Sequence, residues 1–150
     1  IKDRKAKILE YNVRFGYPEA QVVLPLLETD LVDIMEAVLK EELAQIEISW
    51  KSKKALCVVM ASGGYPVEYE KGKEINGIKK AAAAQDTIVF QAGTRLEGDK
   101  LLTDGGRVLA VTALGDSFQE VIDKAYQGAE KIHFEDFHIR NDIGQKALKK

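Results

Sequence analysis

Ile46-Glu47-Ile48-Ser49-Trp50, followed by Lys54-Ala55-Leu56-Cys57-Val58-Val59-Met60-Ala61, marks where the hydrophobic period of this chain changes. Upstream, Leu31, Ile34, Met35, Val38, Leu39 and Leu43 recur at helical spacing behind a cap at Thr29 or Asp30, and that stripe reads as core. From Ile46 the apolar residues alternate, as in a half-buried strand, and Lys54 to Ala61 reads as a more fully apolar strand. Further short strands are predicted over Ile75 to Ile78, Thr87 to Gln91, Lys100 to Thr103 and Arg107 to Leu114. Gly98-Asp99 and Asp104-Gly105-Gly106 supply tight turns between them, and Lys79 to Ala84 permits a short helix. A last helix is marked by the capping box Ser117 and Glu120 and by the stripe Val121, Ile122, Ala125, Ala129 and Ile132. Gln145 to Lys150 reads as a basic tail. A strand-rich middle flanked by helices gives an α+β fold, with a seam between Leu43 and Ile46.

The N-terminal stretch is read differently, for its chemistry. Lys7 to Val13 is predicted as a strand ended by Gly16 and Pro18, and Glu19 to Leu27 as a helix that Pro25 must kink or end. On a strand, Glu10 and Asn12 point the same way, and Arg14 shares their face if the strand continues. A carboxylate beside an amide oxygen is a hard donor pair of the kind Mg²⁺ accepts, and an arginine suits phosphate. Gly16 then allows close approach, a combination that suggests nucleotide chemistry. A solvated strand edge carries the same residues.

The 150 residues suit one domain, or one small domain plus a piece of another. Lys and Arg total 22 against 24 Asp and Glu, a net charge of -2 that gives no electrostatic case for nucleic acid and little for an anionic membrane. No apolar run reaches bilayer length, and no signal peptide opens the sequence. Cys57, the single cysteine, reads as a small buried hydrophobe; a lone thiol fits a reducing cytosol. A chain that opens on Ile1 rather than Met reads as processed, or as part of a longer polypeptide.

Two glycine loops carry alternatives. Gly63-Gly64 follows a strand, and its N–H groups either cradle an anion or close a plain turn; it is neither a Walker loop nor a dinucleotide fingerprint. Gly105-Gly106-Arg107 either holds a carboxylate or phosphate or is a hairpin turn beside a surface arginine. His133 and His138 have poor zinc spacing, and Phe134 and Phe137 suggest packing instead.

Six stretches in order carry a resemblance: Glu10-Tyr11-Asn12-Val13-Arg14-Phe15-Gly16; Gln21 to Leu27; Ala61-Ser62-Gly63-Gly64-Tyr65-Pro66; Ala92-Gly93-Thr94; Gly105 to Ala113; and Lys131 through Gly144. Together they resemble the C-terminal part of the phosphoribosylamine–glycine ligase family, of the ATP-grasp superfamily. The resemblance implies that residues 1–44 end an ATP-grasp domain and that 45–150 form a small, mostly antiparallel C-terminal domain with a long helix. It implies the ATP-dependent joining of glycine to phosphoribosylamine through a glycyl phosphate, in purine biosynthesis, in the cytoplasm. It implies Mg²⁺ or Mn²⁺ held by Glu10 and Asn12, a catalytic and phosphate-facing Arg14, and substrate contacts from Arg14, Gly16, Gly63, Gly64 and Arg107. The implied partners are ATP, glycine, phosphoribosylamine and a missing N-terminal part of the same ligase, without which the chain is expected to be inactive.

Two positions depart from the family's pattern. Tyr17 stands where an aspartate usually precedes the proline, a loss of about 1 kcal/mol if that acid caps a helix. Gln91 stands where histidine is more usual. These changes leave open a non-catalytic binding or assembly module of the same fold, and another ATP-grasp carboxylate–amine ligase is a third reading.

Overall fold

The computed structural model describes residue 8 and residues 11–148. Its centre is a four-stranded antiparallel sheet in the order β2-β5-β1-β6, made of Thr87–Gln91 (β2), Arg107–Gly115 (β5), Lys54–Ser62 (β1) and Phe137–His138 (β6). A separate hairpin pairs Thr94–Glu97 (β3) with Lys100–Thr103 (β4) around Gly98. The helices are Ala20–Val23 (α1), Leu31–Leu39 (α2), Ile78–Ala82 (α3) and Phe118–Ala129 (α4). This is the α+β fold that the change of period predicts, with the mostly antiparallel pairing that the resemblance implies.

Side-chain alternation gives the sheet two different faces. Leu56, Val58 and Met60 of β1 and Leu109, Val111 and Ala113 of β5 join Val121, Ile122, Ala125 and Ala129 of α4 in one core, closed by Phe134 and Ile132. The opposite face carries Cys57, which pairs in register with Thr112. There the Thr112 hydroxyl donates to the Gln21 carbonyl at 3.0 Å, so α1 crosses the face that α4 leaves uncovered. Pro25 turns the end of α1 into the single 3₁₀ turn Leu24–Leu26, as its missing N–H requires.

The start of α4 follows the capping box in part. Ser117 Oγ accepts from the Glu120 N–H at 3.2 Å, while Glu120 reaches one residue further back, to the Asp116 N–H at 2.8 Å. Asp30 caps α2 by accepting from the Val32 N–H at 2.8 Å.

Four expectations are corrected. Ile46 to Trp50 is no strand: it makes one isolated bridge, Leu27 to Trp50, and beyond the local Ile46 N–H to Leu43 carbonyl bond its ties run to Glu28 and Thr29, a partner too short for a ladder. Ile75 to Ile78 likewise holds one isolated bridge, Asn76 to His133, with another at Glu74 just before it, because Gly77 takes φ +89 and turns the chain into α3. Tyr11 and Asn12 lie in irregular chain and Val13 and Arg14 in a bend, so the described part of the strand from Lys7 to Val13 is not a strand. The helical stripe of α2 is not core: only Ala37 is buried, and Met35, Val38 and Leu39 face solvent. None of its residues joins the sheet core, and of the stripe only Leu31 and Ile34 are even half-buried. Strand β3 was not anticipated, since Thr94-Arg95-Leu96-Glu97 is too polar to stand out beside its turn.

Candidate functional site

Tyr17 and Arg107 lie ninety positions apart and meet where the segment before α1 reaches the start of β5. The Arg107 guanidinium stacks over the Tyr17 ring, 4.3 Å from its centroid, and Nη1 donates to the Tyr17 carbonyl at 3.3 Å. A cation over an aromatic face is held by the ring's quadrupole, and a planar guanidinium stacks better than an ammonium. The Tyr17 hydroxyl is buried without a hydrogen-bond partner among the described residues. Burial pushes its pKa above the usual phenol value and nearby Cys57 adds to this, while Arg107 pulls the other way.

Three glycine turns converge on this pair. The Gly93 N–H donates to the Arg107 carbonyl at 2.9 Å, and the Asp104 N–H donates back to the Gly93 carbonyl at 2.7 Å. Ser62 ties in the loop before β5 by donating from its N–H to Gly106 O at 2.8 Å and from Oγ to Gly105 O at 2.9 Å. The Tyr65 ring lies so close to Gly106 that a Cβ there would stand 2.1 Å from Cδ2. Tyr17, Tyr65, Ala92, Gly93, Gly106 and Arg107 together line a cavity of about 360 Å³. One guanidinium, two aromatic rings and side-chain-free backbone suit a small anionic substrate held at close range.

Gly63 and Gly64 line a different, larger cavity of about 650 Å³ on the other flank of the same loop. Its wall is set by Asp136, whose carbonyl would stand 2.5 Å from a Cβ on Gly63. Lys73 bridges Glu70 at 2.8 Å and Glu135 at 2.9 Å across this cavity. Hydrogen bonds to Glu70 and then Glu135 raise the Lys73 pKa well above its usual value, so it is a fixed cation at neutral pH.

The predicted residues therefore divide. Arg107 is at the cavity with Tyr17, and Gly63 and Gly64 border the neighbouring one through Tyr65, which lines both. Gly16 stands one residue before Tyr17, and its N–H donates to Glu19 Oε2 at 2.8 Å. Glu19 directly precedes α1 and is itself helical, and no side chain caps that helix. Arg14 is exposed in the bend that precedes them. Glu10 lies outside the described residues, and Asn12 lies in irregular chain, so the shared strand face proposed for the pair has no support in the described half. Among the described residues no group of three His, Cys, Asp or Glu could hold a metal ion. Gln91 accepts from the Thr94 hydroxyl at 3.0 Å and closes the turn between β2 and β3. Sequence reasoning missed Tyr17, Tyr65 and Gly93 as site members. Glycine recurring at three loop positions was the available signal for their close packing.

A family profile described as "Phosphoribosylglycinamide synthetase, C domain" matches residues 55–146. The chain is 53% identical over 143 residues to a phosphoribosylamine–glycine ligase of Synechocystis, covering 95% of this chain and 34% of that protein. It is 46% identical over 147 residues to a bifunctional purine biosynthetic protein of Dictyostelium discoideum, covering 97% of this chain and 18% of that one. The crystal structure of a phosphoribosylamine–glycine ligase from Thermotoga maritima superposes with a TM-score of 0.70 at 36% identity, over 90% of this chain and 32% of that one. The chain thus spans about a third of the length of several of the curated relatives it matches.

Proposed function

Because the chain belongs to the phosphoribosylglycinamide synthetase C-domain family, we propose that it works as the C-terminal part of an ATP-dependent phosphoribosylamine–glycine ligase in purine biosynthesis. Residues 1–44 then complete an ATP-grasp domain and 45–150 form the domain that closes on it. The substrates are ATP, glycine and phosphoribosylamine, and the rest of the ligase is the obligatory partner.

The reaction asks for neutralised anions and exclusion of water. The γ-phosphoryl group passes from ATP to the glycine carboxylate, ADP leaves, the amine attacks the acyl carbon, and phosphate leaves. Catalysis of this kind is positioning and electrostatics more than covalent chemistry by the protein. Arg107 supplies a permanent positive charge beside a small cavity, and that is the observation that carries the reading. Arg14, on the exposed bend near Gly16, is the second cation assigned to a phosphoryl group. Gly16, Gly63 and Gly64 are assigned substrate contacts through their backbone, the space beside them being filled by Glu19, Asp136 and Glu68, and Lys73 steadies the wall behind Gly63.

A divalent cation, Mg²⁺ or Mn²⁺, would draw charge from the phosphates. The donor chemistry of Glu10 and Asn12 suits a hard ion, and they would supply two of its oxygens, with the remaining ligands coming from phosphate and from other parts of the ligase. The cytoplasm is the expected compartment, and no helix among the described residues is long and apolar enough to cross a membrane.

The test is glycine- and phosphoribosylamine-dependent phosphate release by the full polypeptide that carries this chain. Arg107→Ala is expected to lower kcat/KM by roughly 10- to 100-fold, the scale of one charge-assisted contact. Release that does not require glycine, or an unchanged Arg107→Ala, would overturn the reading.

A further inference from the structure

We infer that Tyr17 is a positioning residue that aims the Arg107 guanidinium at the anion-binding cavity, an inference resting on the role proposed above for Arg107. An exposed arginine at the start of a strand ordinarily samples many rotamers, and fixing such a side chain costs rotamer freedom. Here that cost is met before any ligand arrives. The guanidinium face lies on the Tyr17 ring at 4.3 Å and one edge is held by the Tyr17 carbonyl, which directs the remaining N–H donors elsewhere. Both Tyr17 and Arg107 line the cavity, so the donors are presented to it from one wall while Tyr65 and Gly106 form another.

The ring does this work rather than the hydroxyl. The hydroxyl is buried and has no hydrogen-bond partner among the described residues, so it makes no bond to the guanidinium. An aspartate at this position would act on Arg107 as a counter-ion and compete with the anionic ligand for the same N–H donors. A tyrosine orients the charge without neutralising it. The substrate class that profits is one with a phosphate or carboxylate, bound to a guanidinium that keeps its full charge.

The experiment is steady-state kinetics of the full polypeptide with Tyr17→Phe, Tyr17→Leu and Arg107→Ala. Tyr17→Phe keeps the ring and is expected to hold KM for phosphoribosylamine and glycine within threefold of wild type. Tyr17→Leu is expected to raise one of those KM values about tenfold, with kcat changed less than threefold and an unchanged melting temperature. Arg107→Ala raises the same KM, and adding Tyr17→Leu to it has no further effect. An unaltered KM in Tyr17→Leu beside a raised one in Arg107→Ala overturns the positioning role alone. Unaltered values in both overturn the site. Should Tyr17→Leu not fold, the wild-type Arg107 side-chain resonances decide: ring-current shifts upfield support the stack, and random-coil positions refute it.

Discussion

Gly93 and Gly105 meet backbone against backbone: a Cβ on Gly93 would stand 2.7 Å from the Gly105 Cα, and one on Gly105 would stand 2.9 Å from the Gly93 Cα. The contact joins the turn after β2 to the turn before β5, and the Gly93 N–H to Arg107 carbonyl bond lies beside it. Neither backbone can yield as a flexible side chain would. Gly93→Ala is therefore expected to cost roughly 2–4 kcal/mol, read as a lowered urea midpoint, and to displace Arg107. Gly98→Ala is the control, because nothing lies within 4 Å of its Cβ and only its φ of +60 opposes the change, at about 1 kcal/mol.

Phe134 is fully buried, beneath β1 and α4, and its ring meets Phe137 at 5.6 Å. His133 packs edge-on against the same Phe137 at 5.5 Å, which agrees with the packing expected of these aromatics. Phe134→Ala should destabilise by about 3–5 kcal/mol in denaturant titration. A cost below about 1 kcal/mol would mean that the sheet core does not close through this ring.

Strands β1, β2, β4 and β5 and helix α4 were legible because their own sequences state both burial and termination. The apolar run to Ala61 ends at a glycine loop, and the stripe from Val121 to Ala129 opens at Ser117. Ile46 to Trp50 alternates just as well, yet alternation records a face and not a partner, and Leu26 to Thr29 offers only a bridge. The site was half legible. Arg107 and its glycines read either as an anion cradle or as a hairpin turn beside a surface arginine, whereas Tyr17 joins them only through a contact across ninety positions that no local pattern encodes.

The stripe of α2 gives a prediction that separates apolar spacing from burial. Val38 is 53% exposed and Leu39 84% exposed. Val38→Gln and Leu39→Gln should each change the stability of the 150-residue chain by no more than about 0.5 kcal/mol, the ordinary surface value. Losses of about 2–4 kcal/mol in thermal or chemical unfolding would instead return this stripe to the core.

Acid stability turns on Asp86, which faces Lys53 at 3.1 Å and Lys124 at 3.4 Å while its carbonyl accepts from the Leu114 N–H at 2.8 Å. The hydrogen bond from Lys53 and then that from Lys124 hold its carboxyl below the usual aspartate value, against partial desolvation. A carboxyl whose pKa is lower when folded binds fewer protons in the native state. Its stabilisation is complete above the unfolded value and disappears as the pH falls through the lowered one. Unfolding midpoints of wild type and Asp86→Asn should therefore differ at pH 7, with the wild type more stable, and converge below about pH 4. The difference at pH 7 should also shrink in high salt, because both lysines are partly exposed. Asparagine tolerates the left-handed backbone at Asp86, where φ is +58, as well as aspartate does, so a gap that persists unchanged at low pH would overturn the assignment to its charge.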